Sequence, residues 1–297
     1  MIRFPRRAIA VLVGLLSASL SHSPAAAADS LTTTEVTSSV VVFGTSSGNV
    51  VVSIGPDGAL LVGTPSAAST AQIAKLLDTR TKSPLRYVVI APQDVAHSQG
   101  DAGWGKRGAF VAMQEKALER LGGHAMGPSR PLPPQLIELG VDRPRVAFSE
   151  VLTFDLNSDA IHIVHQAPAY SDADAVTHFH AANLIYLGEV FPGDGYPAVD
   201  AAQGGKLDGL IEELNWTKPH TRIVPARGKV TTGADVKAFR DMIVAVRGRV
   251  QQMLESGKTE EQIIAAHPTS DFDARWGNGR VRPDIFVHEI YAALKPR

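Results

Sequence analysis

Three short β-branched runs set the first constraint on the fold. Val36 to Phe43, Val50 to Ile54 and Ala59 to Val62 are apolar. Only Gly44-Thr45-Ser46-Ser47-Gly48-Asn49 and Gly55-Pro56-Asp57-Gly58 separate them. Runs of that length, bounded by glycine-rich turns, predict a meander of short antiparallel strands. Ser69 to Arg80 carries Ile73, Leu76 and Leu77 at helical spacing, with Ser69 as its cap. Leu85 to Ile90 is a nearly all-apolar strand, buried on both faces. Ala109 to Leu121 reads as another helix, stopped by Gly122-Gly123.

The second half repeats the style. Val151 to Leu156 and Ala160 to His165 pair as a hairpin around Asn157-Ser158-Asp159, and Ala175 to Phe179 and Leu184 to Leu187 are further strands. Lys206 to Leu214 is a helix, Thr221 to Val224 a strand and Ala234 to Ser256 a long helix. Along that helix Met242, Ile243, Val246, Val250 and Met253 are read as core rather than as a dimer face. Thr259 to Ala266 is the last clear helix before a tail containing proline and tryptophan. The order is that of an α+β protein: two sheets packed face to face, with helices outside, would bury every run.

Composition narrows the chemistry. With 44% hydrophobic residues in 297, the chain has ample material for a core, and its ordinary charged fraction argues against disorder. A net charge of -1 argues against nucleic acid as a partner. The absence of cysteine removes disulfides, thiol catalysis, iron–sulfur clusters and thiolate zinc sites together. Any metal must therefore sit on His, Asp or Glu. At the start, Arg3, Arg6 and Arg7 precede an apolar run from Ala8 to Leu20, and Pro24 leads into four alanines. That is the layout of a signal peptide, residues 1–28, cleaved before Asp29. The run is too short to span a bilayer. The mature chain, 29–297, would keep 26 basic against 30 acidic side chains and be periplasmic or secreted, with no membrane attachment.

Two local patterns are weak as sites. Gly44-Thr45-Ser46-Ser47-Gly48 matches the G-x-S-x-G of serine hydrolases, but a strand follows it where a nucleophile elbow needs a helix, so it is a hairpin turn. His162, His165, His178 and His180 lie near one another, and His178-Phe179-His180 puts two imidazoles on one strand face. That spacing allows a metal chelate; the plainer reading has both rings facing solvent or a helix. His124, His220, His267 and His288 have no convergent partners in the sequence.

The informative segment is Ile90-Ala91-Pro92-Gln93-Asp94-Val95-Ala96-His97-Ser98-Gln99-Gly100-Asp101, directly after the most buried strand. With it go Gly48-Asn49, the Gly-Pro-Asp-Gly turn and Val62-Gly63-Thr64. Later come Ala169-Tyr170-Ser171-Asp172-Ala173-Asp174, Leu187-Gly188-Glu189-Val190-Phe191, Gly204-Gly205 and Pro225-Ala226-Arg227-Gly228. In order and spacing, from about Gly48 to Arg240, the chain resembles the metallo-β-lactamase superfamily. The tail, Asp271-Phe272-Asp273-Ala274 and Trp276-Gly277-Asn278-Gly279, is similar to that of an exported subgroup of those hydrolases. The resemblance implies a four-layer αββα sandwich over 29–297, with a C-terminal helical extension from about 257 and a site along one edge between the sheets.

The resemblance also implies where a metal would sit. The family holds zinc on H-x-H-x-D-H, a third His, a bridging Asp and a final His, and the metal supplies hydroxide at neutral pH. At those positions this chain has Pro92, Asp94, Ala96, His97, Tyr170, Glu189 and Arg227, and Gly63 stands where a further family Asp ends the third strand. Pro92 and Ala96 cannot ligate, and Arg227 would bring a fixed positive charge to the place of a cation. The preferred reading is a metal-free, degenerate homologue, in which Arg227 pairs with Glu189 or Asp94 and the pocket binds an unknown small molecule through Tyr170, His97 and Arg227. A second reading is a hydrolase with a remodelled site: one zinc on Asp94, His97 and Glu189, or metal-free acid–base work by His97 with Asp94. A third is a purely structural or partner-binding role.

Overall fold

A computed structural model describes residues 31–45, 47–63, 67–90, 104, 107–120 and 145–295. One sheet runs, in spatial as in sequence order, through β1 (Thr32–Glu35), β2 (Val40–Gly44), β3 (Asn49–Gly55), β4 (Gly58–Val62), β5 (Leu85–Val89), β6 (Phe110–Gln114) and β7 (Arg145–Phe148). It is an antiparallel meander as far as β4 and parallel from β4 to β7. The second sheet holds β8 (Val151–Leu156), β9 (Asp159–Val164), β10 (Val176–Phe179), β11 (Leu184–Gly188), β12 (Arg222–Pro225) and β13 (Thr231–Thr232), in the spatial order β13-β12-β11-β10-β9-β8. The helices are α1 (Ala67–Arg80), α2 (Glu115–Arg120), α3 (Leu207–Glu213), α4 (Gly233–Glu255), α5 (Glu260–Ala265), α6 (Asp273–Trp276) and α7 (Pro283–Leu294). Among the described residues no helix is long and apolar enough to cross a membrane.

The all-apolar strands are explained by their parity. Successive side chains point to opposite faces of a sheet. Val40 and Val42 of β2, Val51 of β3 and Leu60 and Val62 of β4 therefore face the second sheet, where they meet Ile161, Ile163, Phe179, Leu184, Tyr186 and Val224. Their neighbours Val41, Phe43, Val50, Val52 and Leu61 turn outward and pack with Ile73 and Leu77 of α1. On the second sheet, Ile185, Leu187 and Ile223 face α4 and α7, through Val236, Phe239, Ile243, Phe286 and Ile290. Helix, sheet, sheet and helix are thus joined by three apolar layers, the αββα arrangement.

Two buried asparagines tie the sheets together at opposite ends of β3. At one end Asn157, in the β8–β9 turn, donates from Nδ2 to Ser53 Oγ (3.1 Å) and to the Gly58 carbonyl (2.9 Å). Its own amide donates to Asp57 (2.9 Å). Asn157 and Ser158 both have positive φ, 56° and 62°, as a two-residue hairpin requires. At the other end Asn49, 3% exposed, donates from Nδ2 to the carbonyls of Pro225 and Gly228 (2.9 Å each), and its amide donates to Ala226 (2.7 Å). Asn49→Ala would orphan two carbonyls in a buried setting, so a loss of about 2 kcal/mol is expected. Urea unfolding should show it as a lower midpoint with an unchanged slope.

Three local expectations need correction. Phe110–Gln114 is a strand, not the start of a helix, and the helix α2 begins at Glu115. A short apolar run fits either period, and here parallel pairing with β5 on one side and β7 on the other decides it. Ser69 does not cap α1, which already begins at Ala67; it is a buried residue inside the first turn. Thr259–Ala266 is not the last helix, because α6 and α7 follow. Pro283 begins α7 at a position where its missing N–H is not needed. Residues 1–28, Gly122-Gly123 and His124 lie outside the described residues.

Candidate functional site

Gly63, Glu189 and Arg227 lie where β4, β11 and β12 end, on one edge of the sandwich. Glu189 follows β11 directly, and Arg227 lies two residues beyond β12. Parallel pairing of β11 with β12 brings these two strand ends side by side. The connecting loops then lock together: the amides of Ala226 and Arg227 donate to the carbonyls of Phe191 and Pro192 (3.0 Å each). Gly193 makes this approach feasible. Its φ is +82°, and a Cβ there would lie 2.3 Å from the Arg227 carbonyl oxygen and 2.6 Å from Pro225 Cβ.

Arg227 is the centre of this edge and is only 9% exposed. Its Nη1 and Nη2 both donate to the Glu189 carboxylate, the second at 2.9 Å, in a two-pronged pair. Its Nε donates to Asp194 Oδ2 at 2.7 Å. Burial works against the guanidinium charge, but the hydrogen bonds and charges of Glu189 and Asp194 outweigh it and hold its pKa above the ordinary arginine value. Arg280 stands farther out, 3.7 Å from Asp194.

Tyr170 is half-buried, in the loop before β10. Burial first, then the charges of Glu189, Asp200, Asp174 and Glu289, push its phenol pKa up, so the hydroxyl stays protonated. The loop is held by Asp174, which accepts from the Ser171 amide (2.8 Å) and hydroxyl (2.9 Å). Burial still lifts Asp174 to a pKa of about 6, against those hydrogen bonds. Asp172 of the same loop is paired with Arg120 and, at 3.5 Å, Lys116 of α2. At the end of β4, Gly63 has φ +96°, and a Cβ there would lie 2.9 Å from the Asn49 carbonyl oxygen and 3.1 Å from the Tyr186 hydroxyl. No carboxylate fits at Gly63 unless Tyr186 or the backbone moves.

Pro92, Asp94, Ala96 and His97 lie outside the described residues. Of the other positions, the structure brings Glu189 and Arg227 into contact and sets Tyr170 within electrostatic reach of Glu189. Among the described positions, none offers zinc a free ligand. Both oxygens of Glu189 are engaged by a guanidinium, Tyr170 keeps its proton, and Gly63 offers nothing. Among the described residues no group of three or more His, Asp or Glu is placed to hold a metal ion. Asp194 and Asn49 complete the edge. Asp194 went unread as Arg227's second partner, although its place between Gly193 and Gly195 marks a tight turn. A cavity of about 490 Å³ opens nearby, lined among others by Phe191, Gly193, Pro225, Lys229 and Trp276. It does not include Tyr170, Glu189 or Arg227.

The architecture matches that of known metallo-hydrolases. A stereoselective inverting sec-alkylsulfatase from Pseudomonas sp. superimposes with a TM-score of 0.60 at 13% identity, over 88% of this chain and 50% of that one. A metallo-β-lactamase from Pontibacter korlensis gives 0.56 at 15% identity, over 72% of this chain and 99% of that one. The metallo-β-lactamase DIM-1 gives 0.55 at 12% identity, over 72% and 97%. The chain spans half the length of the alkylsulfatase. No family model matches the sequence, and no curated protein matches it. The protein has the metallo-β-lactamase fold.

Proposed function

We propose that this chain is an exported, metal-free member of the metallo-β-lactamase fold group, a pseudoenzyme that uses the former metal edge to bind a small molecule. The two-pronged pair of Arg227 with Glu189 carries the reading. A zinc ion bridged by Glu189 would have to break that pair and then sit beside a cation that never loses its charge. Arg227 instead supplies, as a fixed part of the chain, the positive charge that two carboxylates on this edge require. The protonated Tyr170 hydroxyl and the guanidinium are the donors this edge offers a ligand, and the carboxylates around them favour a small neutral, carbonyl-bearing molecule. A remodelled single-metal hydrolase on Asp94, His97 and Glu189 would need Glu189 to leave Arg227, and no observation favours that.

Metal content tests the proposal. The mature protein, purified without a histidine tag or chelator, is expected to carry less than about a tenth of an equivalent of zinc and to show no thermal shift when zinc is added. Near-stoichiometric zinc that is lost in His97→Ala would overturn it and leave the hydrolase reading standing.

A further inference from the structure

His162 of β9, His178 of β10 and His180 just after β10 form a cluster that the metallo-β-lactamase edge does not use. His162 and His178 are direct cross-strand partners. Their neighbours Ile161, Ile163 and Phe179 point into the layer between the sheets, so both imidazoles stand on the opposite face. His180 follows two residues after His178 and shares that face. The turn behind it is fixed by Asp159, which accepts from the amides of Ala181 (2.7 Å) and Ala182 (3.3 Å). The amide of His180 itself donates to the Ala160 carbonyl (3.1 Å). The result is a short stack: the rings of His178 and His180 lie 3.8 Å apart and those of His162 and His180 4.5 Å apart. His180 is exposed and the other two are half-buried, so solutes reach the cluster from solvent.

We propose that His162 and His180 chelate one copper(II) ion, through His162 Nδ1 and His180 Nε2, which lie 3.0 Å apart. The 3.0 Å spacing is close to the bite of a right-angle chelate. With bonds of about 2.0–2.1 Å, two nitrogens at right angles around an ion are about 2.8–3.0 Å apart, whereas a tetrahedral ion spreads them to about 3.3–3.4 Å. A right angle is the geometry of neighbouring positions in a square-planar copper(II) site, and copper(II) also heads the affinity order for nitrogen ligands. Water fills the remaining positions. The ring of His178 packs over His180 and acts as a positioning residue rather than as a third ligand. Binding breaks the hydrogen bond between the two facing nitrogens: its proton moves to the outer nitrogen of one ring, and the exposed His180 ring turns so that both lone pairs converge on the ion.

The test is a copper(II) titration of the untagged protein in a non-coordinating buffer, followed by electron paramagnetic resonance. One equivalent is expected to bind with a spectrum coupled to two nitrogens. His162→Ala and His180→Ala should each weaken binding by about tenfold or more, with unchanged melting temperature in the absence of metal. His178→Ala should keep the two-nitrogen spectrum. Copper bound unchanged by the His162→Ala/His180→Ala double variant, or no binding below about 1 mM, would overturn the proposal.

Discussion

Arg227→Ala is expected to destabilise the protein by about 3 kcal/mol. Removing one partner of a fully buried pair costs about 3–5 kcal/mol, because the charge left behind has no compensation. Here the stranded groups are two carboxylates, Glu189 and Asp194, whose side chains keep roughly a fifth and a third of their exposure, and solvent screening brings the expectation to the low end of that range. For a chain of this size that is a melting-temperature drop of about 6–9 °C. Arg227→Lys should recover less than half, since one ammonium cannot bridge Glu189 in two prongs and reach Asp194 as well. Adding Glu189→Gln to Arg227→Ala should return part of the loss, and a double-mutant cycle measures the coupling. The same variant also separates the readings of the site. Arg227→Ala that unfolds earlier and still ignores zinc means that the arginine is structural and that the remaining donors form no metal site. Zinc binding gained by Arg227→Ala would mean that the arginine blocks a ligand set otherwise intact.

The elements that could be read from the sequence are those whose local pattern and tertiary environment agree. The β2–β3–β4 meander is legible because glycine turns punctuate β-branched runs, and the β8–β9 hairpin because Asn157-Ser158 accepts the left-handed backbone a two-residue turn demands. β6 was misread because Phe110 to Met113 has no period of its own, and partners distant in sequence make it a strand. α7 was missed because Pro283 and the glycines before it resemble a terminal loop, although proline is favoured at a helix start. At the site, Arg227 and Glu189 were visible as departures from a ligand pattern, so their pairing could be anticipated by charge. Asp194 and Asn49 were not. Each acts through a contact that exists only once the strand ends are side by side: one across the loops after β11 and β12, the other between the two sheets. The close packing at Gly63 was equally hidden, because the loss of a carboxylate there looks the same in sequence whether the space is open or filled by Tyr186.

Glu213→Gln is expected to stabilise the protein at pH 8 by about 2–3 kcal/mol and to have little effect at pH 4. Glu213 ends α3, is 4% exposed, and its Oε2 is buried without a hydrogen-bond partner. Burial, with repulsion from Asp174 and Glu212, lifts its pKa from the usual carboxylate value to about 7. Between the unfolded value near 4.5 and that value, the folded state holds a proton that the unfolded chain has released. Stability must therefore fall as pH rises through this window. The contribution is fully present below about pH 4.5 and gone above about pH 7, and is worth about 3 kcal/mol. A neutral amide at position 213 has nothing to release, so the stability of the variant should be flatter over the same range. Glu289, also lifted by burial to about 7, keeps part of the slope in place. Urea midpoints measured from pH 4 to pH 8 in both proteins read this directly. Parallel profiles for wild type and Glu213→Gln would show that the carboxylate is solvated and ionised throughout. A converging pair, equal at pH 4 and furthest apart at pH 8, would show that Glu213 is buried as the neutral acid and that its ionisation beside Asp174 is what costs stability. The protein would then be most stable under mildly acidic conditions, whatever molecule occupies the neighbouring edge.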